Sequence, residues 1–315
     1  MVEQKDASLD SFLDESAPPT LVFTKLTPEL SNAALNLSID FFRNIQTTAS
    51  RAIVFHPFSI ISILLSSSAY SYYILGDYYK VGGIKLIWEN LEIVVTVLIF
   101  ITGVSSFFFV LATFFTTVIR DRADNIVKDS EVVFGLDLTR LAVINPKSSK
   151  LDKSSIELLE KAENTQIALY RETPIALISI EKSDELSNKQ KFVTKIKGLG
   201  IRKVYSKSGI LEDLIDWSIY RTNILNNNKA GKILILLEVL STDNQLKKTL
   251  QKKKFQKITN KSIETDSISN IGLKLYGISV EIWGVALNVK NKDQISNHEN
   301  IKELINSNDF SKKIQ

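Results

Sequence analysis

The hydrophobic pattern divides the chain into three unlike parts. Ala52 to Leu75 is a run of 24 residues without a formal charge, and Ile93 to Ile119 is a run of 27 with no ionisable group. About 20 apolar residues cross the hydrocarbon core of a bilayer, so each run predicts a transmembrane helix, the second long enough to tilt. Lipid offers backbone groups no hydrogen-bond partner, which requires both to be helical. The competing reading, a pair of buried core helices, suits runs of ~10–14 residues better than runs of this length. The expected organisation is a hairpin over 52–119, with spans at 52–75 and 93–119 joined by a loop at 76–92.

Before the hairpin, residues 1–26 are acidic, contain Pro18-Pro19, and are expected to be disordered. Thr27-Pro28-Glu29 is a helix-start pattern: a capping hydroxyl, a proline at the first helical position and an acid in the first turn. Leu30, Ala34, Leu37 and Phe41 then recur at helical spacing, which predicts an amphipathic helix over 27–51 leading into the first span. It either lies on the membrane surface or packs on the globular domain.

After the hairpin the period changes. Ile167 to Tyr170, a turn at Arg171 to Pro174 and Ile175 to Ile180 read as a β-hairpin. Lys191 to Tyr205 contains a strand with Gly198 and Gly200 near its middle, the mark of a bulge or bend. Ser208-Gly209 opens a helix whose apolar face is Leu211, Leu214, Ile215 and Ile219. Ile233 to Leu240 is almost continuously apolar, as in a strand covered on both faces. Asp243 to Lys252 is helical, and Leu275 to Leu287 supplies a last long strand. The predicted fold class is thus a membrane α-helical hairpin plus an α/β (α+β) domain at 120–295, a mixed sheet with helices on its faces. A tail at 296–315 follows.

Charge sets the orientation. Of the 315 residues, 1–51 carry a net charge of −3 and 120–315 a net charge of +8. Arg43, Arg51, Arg120, Arg122 and Lys128 flank the outer sides of the spans, whereas the loop holds only Lys80 and Lys85. By the positive-inside rule both termini lie in the cytosol and the loop in the lumen. Tyr70, Tyr72, Tyr73, Tyr78, Tyr79 and Trp88 crowd the loop side like an interfacial aromatic belt. No apolar segment among the first twenty residues resembles a cleavable signal peptide. The chain closes on Lys312-Lys313-Ile314-Gln315, which resembles a dilysine signal for retrieval to the endoplasmic reticulum, a receptor-read address that works from the cytosol.

The first span is rich in serine, and Ser59, Ser62 and Ser66 fall on one helical face. Small residues let helices approach closely in lipid. That face either pairs with the second span, where Gly103, Ser105 and Ser106 could meet it, or receives helices of a client protein. The chemistry available elsewhere is narrow. Zero cysteines exclude disulfides, thiolate metal sites and cysteine nucleophiles, and two histidines, His56 and His298, do not make a metal cage. Glu238 and Glu281 interrupt apolar strands, each either a general base with a raised pKa or a strand residue turned to water. Lys247, Lys248, Lys252, Lys253, Lys254 and Lys257 form a basic cluster. It suits a solvated face or anionic lipid in a tethered domain better than nucleic acid.

The order of elements over 165–287 resembles the acetyl-CoA-dependent N-acetyltransferase (GNAT) fold. In that fold an Arg/Gln-x-x-Gly-x-Gly/Ala loop presents backbone N–H groups at a helix N-terminus to the CoA pyrophosphate. The matching positions are Ser206, Gly209 and Leu211, so only the middle glycine is kept, and Glu212 and Asp213 bring negative charge to the first turn. The position of the family's general-acid Tyr holds Gln251, and Lys254 replaces a glycine. A fold retained without cofactor or catalysis is the expectation.

The stretch from Gly198 to Trp217, with Ala17-Pro18-Pro19, Thr24-Lys25-Leu26 and Phe55-His56-Pro57-Phe58, resembles the fungal endoplasmic-reticulum packaging chaperones of the high-affinity inorganic phosphate transporter. The resemblance implies a non-catalytic, multi-pass resident of that membrane. Its implied partners are a polytopic phosphate permease, the membrane's lipids and vesicle-coat components. A membrane-anchored, acetyl-CoA-dependent N-acetyltransferase is the alternative.

Overall fold

The computed structural model describes residues 20–89, 91–128, 132–145, 152–227, 230–263, 267–291 and 294–298. A strand, β1 (Leu21–Lys25), precedes a 3-10 turn and a long helix, α1 (Ser31–Val54). Two longer helices follow, α2 (Pro57–Glu89) and α3 (Leu91–Lys128), then short α4 (Leu138–Val143) and α5 (Lys153–Ala162). The remainder alternates: β2 (Thr165–Tyr170), β3 (Thr173–Lys182), β4 (Lys191–Ile201), α6 (Ile210–Asn226), β5 (Lys232–Leu240), α7 (Asn244–Lys252), β6 (Gln256–Lys261), α8 (Ser267–Leu275), β7 (Val280–Asn291) and β8 (Gln294–His298). The strands form one sheet in the order β1-β2-β3-β4-β5-β7-β6, with β8 also paired to β7. Among the described strands only β4 and β5 run parallel, as the crossover helix α6 between them requires.

The alternation within β5 explains its nearly unbroken apolar sequence. Ile233, Ile235 and Leu237 face a core built with α6 and α7, where Leu214, Ile215, Leu246 and Leu250 are buried. Leu234 and Leu236 face the opposite side, against Val193, Ile282 and Ala286. At the other end of the sheet, α1, α4 and α5 cover β2 and β3 through Ala34, Leu37, Leu138, Leu141, Leu158 and Leu177. The expected apolar stripe of α1 therefore packs on the globular domain.

Several expectations are corrected. Residues 21–25, placed in a disordered segment, pair antiparallel with β2 from Leu21↔Tyr170 to Lys25↔Gln166. Without β1 the far edge of β2 would be a row of unpaired backbone N–H and C=O groups, which this addition satisfies. Thr27 provides no side-chain cap; its carbonyl instead accepts from the Leu30 N–H and the Ser31 hydroxyl. The helix before the hairpin does not run into the first span: α1 ends at Val54, and α2 starts at Pro57, whose fixed φ suits a first helical residue. The connecting segment 76–92 is helical as far as Glu89 and again from Leu91. The strand expected from Leu275 begins at Val280, as β7, because residues 267–275 form α8.

Gly198 and Gly200 do mark an irregularity. Ile180 pairs with Ile196 and Ser179 with Gly198, which leaves Lys197 as the extra residue of a β-bulge. Beyond the bulge β4 and β5 part: their parallel pairing ends at Ile196↔Leu237. The resulting splay lies beneath α1.

Candidate functional site

Two surfaces invite a functional reading: the hairpin with its junction to the domain, and the splay between β4 and β5.

The hairpin consists of Pro57–Asp77 and Leu91–Asp121, each long and apolar enough to cross a membrane. Little of either is covered by the rest of the chain, 11% and 6% respectively. Leu64, Leu65, Leu98, Ile99, Phe107 and Val110 all lie exposed. Such a surface is costly in water and at home in lipid. The two helices meet at Tyr70 and Phe100, whose rings stack with centroids 3.9 Å apart.

The junction is built around Tyr276, just after α8. Its ring packs edge-on against His56 at 5.2 Å and Phe58 at 6.2 Å, and tilted against Phe115 at 6.3 Å. The His56 side chain also starts α2, since its Nδ1 accepts the Phe58 N–H at 3.2 Å. Gly272 of α8 lies so close to α3 that a Cβ there would stand 2.4 Å from the Phe115 ring. Ser50 and Thr116 share a hydrogen bond of 2.8 Å between α1 and α3. Ala49, Ile53, Ala112, Ile119, Leu273 and Ile278 fill the space between.

This junction decides the fate of the predicted serine face. Ser59 is fully buried; its hydroxyl donates to the Ile53 carbonyl at 2.7 Å and contacts Tyr276 Oη at 3.3 Å. It is thus engaged within its own chain and is not offered to a client. Ser62 and Ser66 are half-buried, and the Ser66 hydroxyl bonds back to the Ser62 carbonyl at 2.7 Å. On α3, Ser105 is half-buried, whereas Gly103 and Ser106 face outward, with open space where a Gly103 Cβ would project.

In the splay, α1 seats Phe41 on β4, where a Cβ on Gly200 would stand 3.3 Å from it. Cavities of about 140 and 200 Å³ remain on either side of Phe41 and Ile45, with Leu199, Leu246 and Asp243 lining both. Asp243 caps α7 by accepting the Leu246 N–H. Burial pushes its carboxyl above the ordinary value, against the pull of those backbone N–H groups and of Lys247. At the start of α6, Gly209 has φ +86°, a left-handed conformation suited to glycine. Leu211 is buried in the core. Glu212 pairs with Lys252, and the Ser206 carbonyl accepts from the Gln245 side chain.

The two strand acids differ. Glu238 is exposed at the splay. Glu281 is buried and accepts from Lys257 Nζ at 2.8 Å and Trp283 Nε1 at 2.9 Å. Burial raises its pKa, but those hydrogen bonds, with the charges of Lys247 and Lys257, outweigh burial and hold the carboxyl below its usual value. A depressed carboxyl paired to lysine is a structural ion pair, poorly suited to act as a base near neutrality. The lysine cluster is partly neutralised internally. Lys252 pairs with Glu212, Lys253 with Asp216 and Lys257 with Glu281, while Lys247 Nζ donates to the Ser241 carbonyl.

Residues 3–287 match the family model described as inorganic phosphate transporter chaperone Pho86. The chain belongs to that family. It is accordingly a chaperone-family member whose client is an inorganic phosphate transporter, and its exposed helical pair fits a membrane location. Comparison with curated protein sequences gives no match. Among solved structures the sheet is similar to GNAT acetyltransferases. Against a streptothricin acetyltransferase of Bacillus anthracis the identity is 16% and the TM-score 0.28, covering 38% of this chain and 60% of that one. For the ribosomal-protein-S18-alanine N-acetyltransferase of Escherichia coli the values are 8%, 0.31, 46% and 84%. For Naa50 of Arabidopsis thaliana they are 16%, 0.32, 51% and 91%.

For a Pho86-family chain, the residues that sequence reasoning missed are those of the junction. Tyr276 lies in the segment read as strand from Leu275, Gly272 lies in a stretch given no element, and their partners Phe115, His56 and Phe58 are far off in sequence. The Pro57 start of α2 was the one local signal. Lys312 and Lys313 fall outside the described residues.

Proposed function

We propose that this chain is a non-catalytic chaperone resident in the endoplasmic-reticulum membrane, which shields an inorganic phosphate transporter until it folds or enters transport vesicles. The observation that carries the reading is an exposed apolar helical pair fixed to a folded domain at the Tyr276 junction. A polytopic client leaves helix faces uncovered until its bundle closes. The half-buried Ser62 and Ser66 strip and the outward Gly103 and Ser106 offer small-residue contacts to such faces. Ser66 already satisfies its hydroxyl on its own helix, so contact there rests mainly on close packing. A hydrogen bond from Ser62 or Ser106 to a client helix would add only ~0.6–2 kcal/mol, weak enough to let a client go. The flanking charges support cytosolic termini, and Lys312-Lys313 supports retrieval through coat components.

The acetyltransferase alternative asks CoA to bind where the residues present do not fit it. Leu211 stands where that fold's loop keeps a glycine or alanine, and Glu212 and Asp213 carry negative charge in the first turn. Phe41 occupies the splay. The direct test replaces Ser62 and Ser66 with Leu in the full chain and follows transporter delivery to the cell surface and phosphate uptake. Impaired delivery with normal levels of the variant is expected. Unimpaired delivery removes the client-packing role from this strip, and calorimetric CoA binding by the full chain would favour the alternative.

A further inference from the structure

Helix α8 carries an apolar face that the globular domain does not use. Leu273 is buried in the junction cluster beside Ala112 and Ile119 of α3, and Ser269 is buried as well. On the opposite side Ile268, Ile271 and Leu275 are 64%, 69% and 58% exposed. Three large aliphatic side chains at i, i+3 and i+7 make one stripe, and Gly272, pressed on Phe115 of α3, borders it. The polar residues Asn270 and Lys274 lie farther round the helix.

The level of this stripe relative to the two spans follows from the hairpin itself. Tyr70 stacks on Phe100, and the helices run antiparallel. Thirteen residues back from Tyr70 is Pro57, and thirteen forward from Phe100 is Thr113, so these lie at one height, ~20 Å away at 1.5 Å per residue. Pro57 opens one span, and from there to Asp77 is 21 residues, close to one hydrocarbon thickness. Phe115, Phe58 and Tyr276, which tie α8 to the hairpin, therefore sit where the spans leave the hydrocarbon. Phe58 is itself 49% exposed there, and Phe55, next to His56 in the chain, is 69% exposed. The lipid that surrounds the span mouth is continuous with the surface the stripe faces.

We propose that α8 is an in-plane membrane helix, with Ile268, Ile271 and Leu275 inserted at the headgroup–acyl boundary beside the spans and Lys274 turned to the headgroups. Amphipathic helices of this kind bury their apolar face ~5–10 Å into that boundary. Its consequence is that the domain is held against the membrane by three elements, and the mouth of the hairpin is closed on the α8 side by lipid-facing side chains. The proposal rests on the membrane reading of the hairpin.

The test exploits the absence of cysteine from the native chain. Full-length protein bearing Ile271→Cys or Leu275→Cys is labelled with an environment-sensitive fluorophore and reconstituted in phosphatidylcholine–phosphatidylserine vesicles. Leu98→Cys on the hairpin and Val204→Cys, 88% exposed on the domain, serve as references. Quenching is measured with iodide on both sides of the vesicle and with lipids carrying a nitroxide near the headgroup or deep in the chain. The expected result is quenching of the α8 labels by the shallow nitroxide and loss of iodide quenching relative to Val204→Cys. Iodide quenching equal to that of Val204→Cys overturns the proposal, as does shielding from both quenchers, which means protein cover. If Leu98→Cys escapes the deep nitroxide, the membrane reading itself has failed.

Discussion

Gly272→Ala is a substitution whose sign distinguishes local from tertiary control. In an isolated helix, alanine is favoured over glycine by about 1 kcal/mol. In α8 the new methyl would stand 2.4 Å from Phe115 Cδ1 and Cε1 and 2.7 Å from Cγ. An ordinary carbon contact is ~3.5 Å or more, so the ring or the helix must move by about 1 Å. Phe115 is itself wedged against Tyr276, and overpacking of this kind costs ~1–3 kcal/mol. The net expectation is a loss of up to about 2 kcal/mol, opposite in sign to the propensity effect. Urea unfolding of the full chain in detergent micelles, followed by tryptophan fluorescence, reads it out. In a Phe115→Ala background the same substitution should stabilise by about 1 kcal/mol, giving a coupling of ~1–3 kcal/mol for a pair in direct contact. Stabilisation by Gly272→Ala in the native background would refute the geometry of the junction.

Three further outcomes follow from the domain. Asp243→Asn keeps an N-cap acceptor and removes a carboxylate whose pKa burial raises, so it should stabilise at pH 7. Because a raised folded pKa favours the folded state below the unfolded value of ~3.9, that gain should vanish in acid; a stability–pH series of both proteins checks it. Glu281→Gln removes a carboxyl held below its ordinary value by Lys257 and Trp283. A depressed folded pKa contributes stability above the unfolded value of ~4.3 that is lost as pH falls through the folded one. The variant should therefore be less stable by ~1–2 kcal/mol at neutral pH and show a flatter acid limb. Gly209→Ala meets open space but forces a side chain into φ +86°, so thermal unfolding should show a loss of ~1–2 kcal/mol.

How much of this was legible depended on whether the deciding contact was local. The two spans are set by run length, the β2–β3 hairpin by alternation, and the α6 start by Gly209, all within a few residues of where they act. The buried register of β5 was legible because apolar residues on both faces can mean only a covered strand. By contrast, β1 is a five-residue edge whose partner Tyr170 lies across the whole hairpin, and nothing inside Leu21–Lys25 announces that partner. Ser59 illustrates the limit most sharply. Its spacing with Ser62 and Ser66 is that of a packing face, and the spacing is correct. What takes Ser59 off that face is Tyr276, 217 residues away. Pro57 was the local clue: it starts a new helix there, and the turn before it lets Ile53 present its carbonyl to the Ser59 hydroxyl. A charge count that runs unbroken from Ala52 to Leu75 passes over that break, because hydropathy records what lipid tolerates and not where a backbone must turn. The same blindness hid α8. The strand expected from Leu275 overlaps the last residue of this helix, and the stretch holding Ile268 and Ile271 has no expected element; the surface that α8 packs on, Phe115 against Gly272, lies more than 150 residues away.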